Sequence, residues 1–533
     1  MVQENLLLIL SLLFAVSMLT ILSKKLNISY PIFLVISGLL IGFIPGIPVV
    51  SLNPDFVFLI FLPPLLYSAA WNTSWKDFWE QRRNISLLAF GLVIFTSTAI
   101  AFLSHAMIPG FSLALGFLLG GIISPPDAVA ATSVLQGLKI PKRIVTILEG
   151  ESLINDASSL IVFRFALLAV ITGQFTFLKA TGDFFLVAGA GIASGIAIAY
   201  VIYNIHRLLP TSASVDTALT LISPYLMYIG AEHFHFSGVM AVVSGGLFLS
   251  FRSHLIFTYN SRIQIYSFWE TLIFLLNGMV FILIGLQLPQ IMGGLKAYSL
   301  GNIIFYAVVI SLVTIIIRII WVFPGAYFPG MFSKKIRNRE RRPPPNAVFL
   351  VAWSGMRGVV SLAAALAVPL TLSNGEVFPQ RDLILFITFI VILFTLVLQG
   401  LSLPRVIHLL KIEDAGEENT SEQEAAIRLR LAWAALNHMQ DHYGEELNAI
   451  DPYPRPKDRY ERMIENANRK LLNDEAQSAA SGFLPKYRKM LLEVVAVKRQ
   501  ELQKLRDERL YSDEILNNRE WELDLEEARL NED

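Results

Sequence analysis

Between Ile147 and Phe163 the chain reads ILEGESLINDASSLIVF. Glu149, Glu151, Asn155 and Asp156 fall there within eight residues, among Ile, Leu, Val and Phe. Placed on a helix at about 100° per residue, Ser152 and Asp156 share one face and Glu151 and Asn155 the next. Glu149, seven residues before Asp156, points the same way two turns earlier. One carboxylate with a hydroxyl and an amide beside it is an all-oxygen donor set. It suits a hard monovalent cation such as Na⁺, or a proton, and not Zn²⁺ or copper. Asp156 is therefore the candidate cation or proton carrier, and Ser152 and Asn155 are its candidate neighbours. Glu151, on the adjacent face, reads instead as part of a hydrogen-bond network between helices.

Two further stretches combine charge with backbone irregularity. In GGIISPPDAVAATS (Gly120 to Ser133), Pro125 and Pro126 remove two backbone donors and disfavour helix just before Asp127. A break is predicted, with a new half-helix starting near Asp127, where a carboxylate favours the positive end of the helix dipole. In AWSGMRGVVSLAAALAVP (Ala352 to Pro369), Gly355 and Gly358 flank Arg357 and predict a second break beside a cation. Irregular backbone at membrane depth is tolerated only against protein or a water-filled cavity, so both breaks mark a candidate site.

The surroundings call for a membrane. Of 533 residues 54% are hydrophobic and 16% charged, against about 25% charged in a soluble domain. Residues 1–404 carry 23 Lys and Arg against 15 Asp and Glu; the remainder carries 20 against 28. An apolar, basic front is thus joined to a polar, acidic tail. Windows of about 20 apolar residues give thirteen candidate spans: 4–23, 29–46, 54–72, 84–107, 111–136, 145–171, 183–208, 214–233, 237–251, 267–289, 299–328, 345–372 and 382–410. Loops after odd-numbered spans hold 17 basic residues and those after even-numbered spans three, Lys179, Lys296 and Arg381. The positive-inside rule then puts the N-terminus outside and the tail in the cytoplasm of a multi-pass protein of the cell (inner) membrane. The breaks fall in spans five and twelve, seven spans apart. Two six-helix halves of opposite orientation follow, the inverted repeat of secondary transporters. The expected fold class is an all-α polytopic membrane protein: a transmembrane domain over 1–410 and a soluble helical tail over 411–533. In the tail, Glu413–Glu424 reads as an acidic linker, Ala425–Gly444 as a helix, residues 451–457 as a break and Ser481–Leu510 as a mildly amphipathic helix.

Several classes are excluded or disfavoured. Without Cys there is no disulfide, thiolate metal site or Cys nucleophile. Glu4 and the lack of a basic n-region argue against a signal peptide. The sequence holds no basic nucleic-acid patch, Ser-His-Asp set, phosphate loop or metal-spaced His cluster, so neither an enzyme nor a resident cofactor is expected. His233 and His235 read as surface residues. Charges inside spans cost about 2.5 to 3.5 kcal/mol on insertion scales. The candidates for such a charge at mid-membrane are Asp127, Glu149, Glu151, Asp156, Arg164, Glu270, Arg318 and Arg357.

In order and spacing, SPPDAVA, EGESLINDASS and GMRGVVSLAAAL, with FLPPLLYSAAW (61–71) and FWETLIFLLNGMVFILIGLQL (268–288), resemble the sodium/proton exchangers of the monovalent cation:proton antiporter-1 family, over about residues 1–410. The resemblance implies that Asp156 carries Na⁺ or H⁺, with Asn155 its neutral neighbour and Ser152 a nearby oxygen. It places Asp127 and Arg357 at crossing broken helices and pairs Glu151 with Arg318. It also implies a homodimer in which a mobile core moves against a dimerising scaffold. Two positions depart from the pattern: Ser68 stands where some relatives have an acid, and Pro126 where several have Thr. The expected activity is electroneutral 1:1 exchange of Na⁺ for H⁺ by alternating access. Alternatives are a K⁺/H⁺ antiporter serving pH or volume homeostasis and an Na⁺-coupled organic-anion symporter. A channel would line its pore with rings of carbonyls or charges, which one central carboxylate does not supply. A membrane sensor acting through the acidic tail is a further class.

Overall fold

The protein is described here from a computed structural model covering residues 2–26, 28–45, 54–135, 140–173, 177–295, 299–332, 343–372, 375–412, 417–443 and short pieces of 457–530. The described residues are almost entirely helical, with one isolated bridge pairing Thr371 and Val377. The helices are α1 (Val2–Leu26), α2 (Tyr30–Gly42), α3 (Pro54–Asn72), α4 (Trp75–Ser86), α5 (Val93–Met107), α6 (Leu113–Ile123), α7 (Ala128–Leu135), α8 (Lys142–Thr172), α9 (Phe177–Leu208), α10 (Ala213–His233), α11 (Gly238–Ile256), α12 (Tyr259–Leu286), α13 (Leu288–Gly294), α14 (Leu300–Phe332), α15 (Pro345–Trp353), α16 (Val359–Leu366), α17 (Arg381–Leu409) and α18 (Glu417–Tyr443).

Many of these starts are written locally. Ser74, Ser112, Ser212, Ser237 and Thr258 each precede a helix, and each side-chain oxygen accepts a first-turn N–H. Among the described residues, nine helices or helix pairs are long and apolar enough to cross a bilayer. Their outward faces carry large exposed apolar side chains such as Leu7, Phe14, Phe185 and Phe305, as a lipid-facing surface requires.

Several boundaries differ from the sequence windows. Helices α10 and α11 are full-length at 21 and 19 residues, and α2, at 13 residues, is the short one. Helix α12 begins at Tyr259, before its apolar window, because polar residues face outward along its first turns. The window at 84–107 joins α4 to α5 through a π-helical turn, Leu87–Leu92. A π turn frees carbonyls from the regular ladder. Here the Ala89 carbonyl accepts from Ser158 at 2.5 Å and the Leu87 carbonyl from Trp321 at 3.0 Å.

Without a hydrophobic drive between helices in lipid, close backbone approach does the packing, and small residues permit it. A Cβ on Gly38 of α2 would collide with the Ile282 carbonyl and Gly285 of α12. One on Gly120 of α6 would meet the backbone of Ser97 on α5, and one on Gly195 of α9 that of Ala241 on α11. Two apolar cores result. One gathers α2, α5, α6 and α13 to α17; the other gathers α3, α4 and α9 to α11. Two long helices serve both. Helix α8 gives Leu148 and Phe163 to the first and Leu153, Ala157 and Ile161 to the second. Helix α12 gives Leu276 to Ile284 to the first and Ile265 and Trp269 to the second.

The chain divides into two compact units, Met1–Asp414 and Ala415–Asp533. In the second, Ala432 and Leu436 of α18 pack with Ile464, and Lys498 and Arg499 pair with Glu526 and Glu527. Residues 417–424, read from the sequence as linker, belong to α18; the first turn tolerates acids because its dipole end is positive. Residues 413–416, the break at 451–456 and most of Ser481–Leu510 lie outside the described residues, as do Lys139, Lys296 and the basic loop 333–342.

The α2–α12 contact leaves no room for a side chain at position 38. Gly38→Val is expected to destabilise the protein by about 1–3 kcal/mol through forced backbone displacement. Thermal unfolding of the detergent-purified protein would read this as a lowered midpoint. An unchanged midpoint would contradict the close packing.

Candidate functional site

Helix α6 stops at Ile123 and α7 starts at Ala128; α15 stops at Trp353 and α16 starts at Val359. The two unwound segments cross. The Asp127 N–H donates to the Met356 carbonyl at 2.7 Å, and Arg357 Nε donates to the Ile123 carbonyl at 3.1 Å. The break therefore leaves four helix ends facing one another inside the protein. Each end carries unsatisfied backbone groups and about half a unit of charge.

Three charged residues answer these ends. The Asp127 carboxylate accepts from the N–H groups of Val129 at 2.8 Å and Ala130 at 3.4 Å on α7, and from Val359 on α16. A single anion thus caps two positive N-termini. Arg357, fully buried, donates to the last carbonyl of α6 and to Gly355 in the segment after α15, and its own N–H donates to Thr395 of α17 at 3.1 Å. Arg318 of α14 donates to Val351 at 3.1 Å and Ala352 at 3.2 Å, the C-terminal carbonyls of α15. Its remaining valence goes to Glu151 of α8 in a two-pronged pair at 2.5 and 2.8 Å, with both side chains buried. The glycines of GMRG make these approaches possible. A Cβ on Gly358 would strike the Asp127 carboxylate, and one on Gly355 would strike the Arg318 side chain.

Helix α8 runs past the crossing and binds it. Ser152 Oγ accepts from the Ala128 N–H at 3.2 Å, at the start of α7. Asn155 Nδ2 donates at 3.2 Å to the Pro126 carbonyl, one of the groups the Pro125–Pro126 break sets free. The amide supplies the donor this needs, whereas an ionised carboxylate at 155 would oppose one acceptor with another. Asn155 Oδ1 is buried with no partner among the described residues. Asp156, one residue on, is buried and lines a cavity of about 860 Å³. Asp127, Ser152, Pro125, Pro126 and Gly358 line it too, as do Ser68 and Thr132. Exposed Lys24, Arg262, Tyr266 and Glu270 stand at its other end. The geometry brings Asp156, Asp127 and Ser152 to one cavity. It sets Glu151, Arg318, Gly355 and Arg357 behind the cavity wall, in the packing of the crossing.

The remaining span charges separate. Glu149 and Glu270 line the cavity. Arg164 pairs with Glu232 of α10 through two 2.7 Å bonds, half-exposed. His235 is exposed, at φ 60°. The sequence reading passed over His206 and Asp216, a fully buried pair at 2.8 Å that ties α9 to α10. It also passed over Thr395, whose only trace was a polar residue, seven before which stands Thr388, in an otherwise apolar helix.

Arg318→Ala removes one partner of a buried pair and two cap bonds together. A loss of about 3–5 kcal/mol is expected, read as failure to survive detergent extraction or a much lower unfolding midpoint. Replacing Glu151 as well, in the Glu151→Leu/Arg318→Leu protein, should recover part of the loss but not all, because the Val351 and Ala352 carbonyls stay uncapped. Full recovery would show that capping contributes nothing.

Comparison with known proteins follows the same geography. Residues 9–409 match the family described as sodium/hydrogen exchanger, transmembrane. Over 490 residues the chain is 31% identical to a sodium, potassium, lithium and rubidium/H⁺ antiporter of Bacillus pumilus, covering 90% of this chain and 71% of that one. It is 33% identical over 462 residues to the Na⁺/H⁺ antiporter ApNhaP of Aphanothece halophytica, covering 85% of this chain and 82% of that one. Its fold is similar to that of the sodium proton antiporter MjNhaP1 from Methanocaldococcus jannaschii, with a TM-score of 0.60 at 20% identity over 75% of this chain and 99% of that chain. Crossed half-helices, an acid at the end of a cavity and a family match that stops where the transmembrane unit stops all fall on the same 400 residues, and the chain belongs to the transmembrane sodium/hydrogen exchanger family.

Proposed function

We propose that the protein is a secondary antiporter that exchanges Na⁺ for H⁺ by alternating access, with cation and proton competing for Asp156. The observation that carries this reading is the meeting of Asp156, Asp127 and Ser152 at one end of a cavity, where two broken helices cross. A carboxylate there can hold a cation or a proton but not both, so a site that faces the two sides in turn couples the two flows. Asp127 is already engaged by three N–H groups; it shapes the field and leaves Asp156 to change its load.

Asn155 supports a 1:1 ratio. It adds no titrating charge, and its amide is committed to the Pro126 carbonyl. One charge in and one charge out leaves the exchange electroneutral. The excess of basic residues in loops after odd-numbered spans, 17 against three, supports a cytoplasmic tail and an outside N-terminus in the inner membrane, and the crossing of span five with span twelve supports two inverted six-helix halves. We also assign a homodimer, in which α8 and the crossing move as a body. The relative from Bacillus pumilus is named for sodium, potassium, lithium and rubidium, which favours K⁺ and Li⁺ as alternative cargo.

In everted membrane vesicles, Asp156→Asn should abolish cation-dependent proton movement while the protein still reaches the membrane. Retained exchange would remove Asp156 from the mechanism. In proteoliposomes, an imposed membrane potential should leave the wild-type rate nearly unchanged. A steep dependence would refute the 1:1 ratio.

A further inference from the structure

Helix α12 carries the stretch FWETLIFLLNG, whose polar residues have no part in the crossing. Glu270 and Asn277 stand seven residues apart and so on one face, about 10 Å apart along the axis. Both line the cavity, with Ile273 and Phe274 between them. Across the cavity α8 presents Glu149, Ser152 and Asp156 with the same spacing. Two helices thus face each other with matched stripes: a carboxylate toward the exposed end and an oxygen donor seven residues deeper.

Asn277 is the deeper member on α12. It is 3% exposed, and its Oδ1 has no hydrogen-bond partner among the described residues. Its amide donates to the hydroxyl of Tyr30 at the start of α2. The Tyr30 ring is held by Phe274 at 6.3 Å and Phe281 at 6.4 Å, on either side of Asn277, and the hydroxyl lies close enough to Asp127 to sense its charge. The amide is therefore fixed with its nitrogen spent and its oxygen free. Leaving a buried carbonyl oxygen unsatisfied is unfavourable, and a bound cation would offset that.

We propose that Asn277 is a specificity-determining ligand for the transported cation, supplied by α12 across the cavity from Asp156, with Glu270 drawing cations toward it. The inference rests on the exchange reading above and adds a cation contact outside α8 and the crossing. A neutral oxygen suits the position. It replaces one water of the cation's shell without adding a charge, so affinity and cation order change while the exchange ratio does not. Its place on α12, across the cavity from α8, lets the contact be made and broken as the α8 side moves.

The test uses full-length protein in proteoliposomes, with initial proton flux measured against Na⁺, K⁺ and Li⁺ concentration. Asn277→Ala is expected to raise the half-maximal Na⁺ concentration about tenfold and to narrow the differences among the three cations, with the maximal rate held within about twofold. Asn277→Asp, which keeps an oxygen there, should restore or lower the half-maximal concentration and change the cation order. Protection of purified protein against thermal unfolding by Na⁺ should need a concentration shifted by the same factor in Asn277→Ala. An unchanged half-maximal concentration and cation order, or a loss of maximal rate alone, would overturn the proposal. If Asn277→Ala does not fold, an unchanged cation order in Asn277→Asp does the same. Wild-type protein that moves no protons with any of the three cations would instead overturn the exchange reading itself.

Discussion

A polypeptide that interrupts a helix inside a bilayer must find partners for the backbone groups it sets free, because the hydrocarbon offers none. In this protein two interruptions face each other, and a set of buried charged and polar residues answers that demand. Asp127 takes the N–H groups of two helix starts. Arg357 and Arg318 take the carbonyls of two helix ends. Asn155 and Ser152 reach in from α8 to serve the unwound chain on either side of Asp127. Glu151 then exists to balance Arg318. Once these obligations are met, one carboxylate of the group, Asp156, is left without a structural duty, and it lines the cavity.

The packing around the crossing separates what must be rigid from what can slide. Small residues bring α2 against α12, α5 against α6 and α9 against α11 at backbone contact, so these pairs behave as units. Helix α8 belongs to both apolar cores by different faces. Its hydrogen bonds run to the crossing, to the π turn and to α4, whereas the pair of Arg164 with Glu232 runs to α10 and is half-exposed. The attachment of α8 to the crossing is dry and many-stranded; its attachment to α10 is a single ion pair of the kind that water weakens.

Legibility in the sequence followed the reach of each signal. Pro125–Pro126 and the glycines around Arg357 change backbone chemistry directly, so both interruptions were readable from a few neighbouring letters, and helical phase separated Glu151 from Asp156. Apolar windows located helices but misjudged their ends wherever a helix continues under polar cover, as at Tyr259 and at Glu417–Glu424. Contacts between distant segments left little trace. Nothing near Thr395 announces that it will receive the Arg357 N–H, and nothing local announces that His206 and Asp216 pair, because burial at a helix junction depends on the third dimension. The Asn155 amide is intermediate: its type was noted for charge, but its task toward Pro126 becomes visible only when α8 is laid across the break.

The π turn at Leu87–Leu92 has a consequence for how this chain tolerates change in length. It holds the helix running from Trp75 to Met107 one residue longer than a regular spiral of the same reach, and its loosened carbonyls are pinned by Ser158 and Trp321. Deleting any one residue of the turn would let it relax to an ordinary helix. The segment before it would keep its phase, because the turn takes up its extra residue locally, so Gln81 would stay beside Arg143 and Ile85 under Gly150; what would go is the pair of loosened carbonyls. A single-codon loss that looks conservative in a run of apolar letters would thus be felt as two missing acceptors, one of them facing Ser158 on the very helix that holds Asp156.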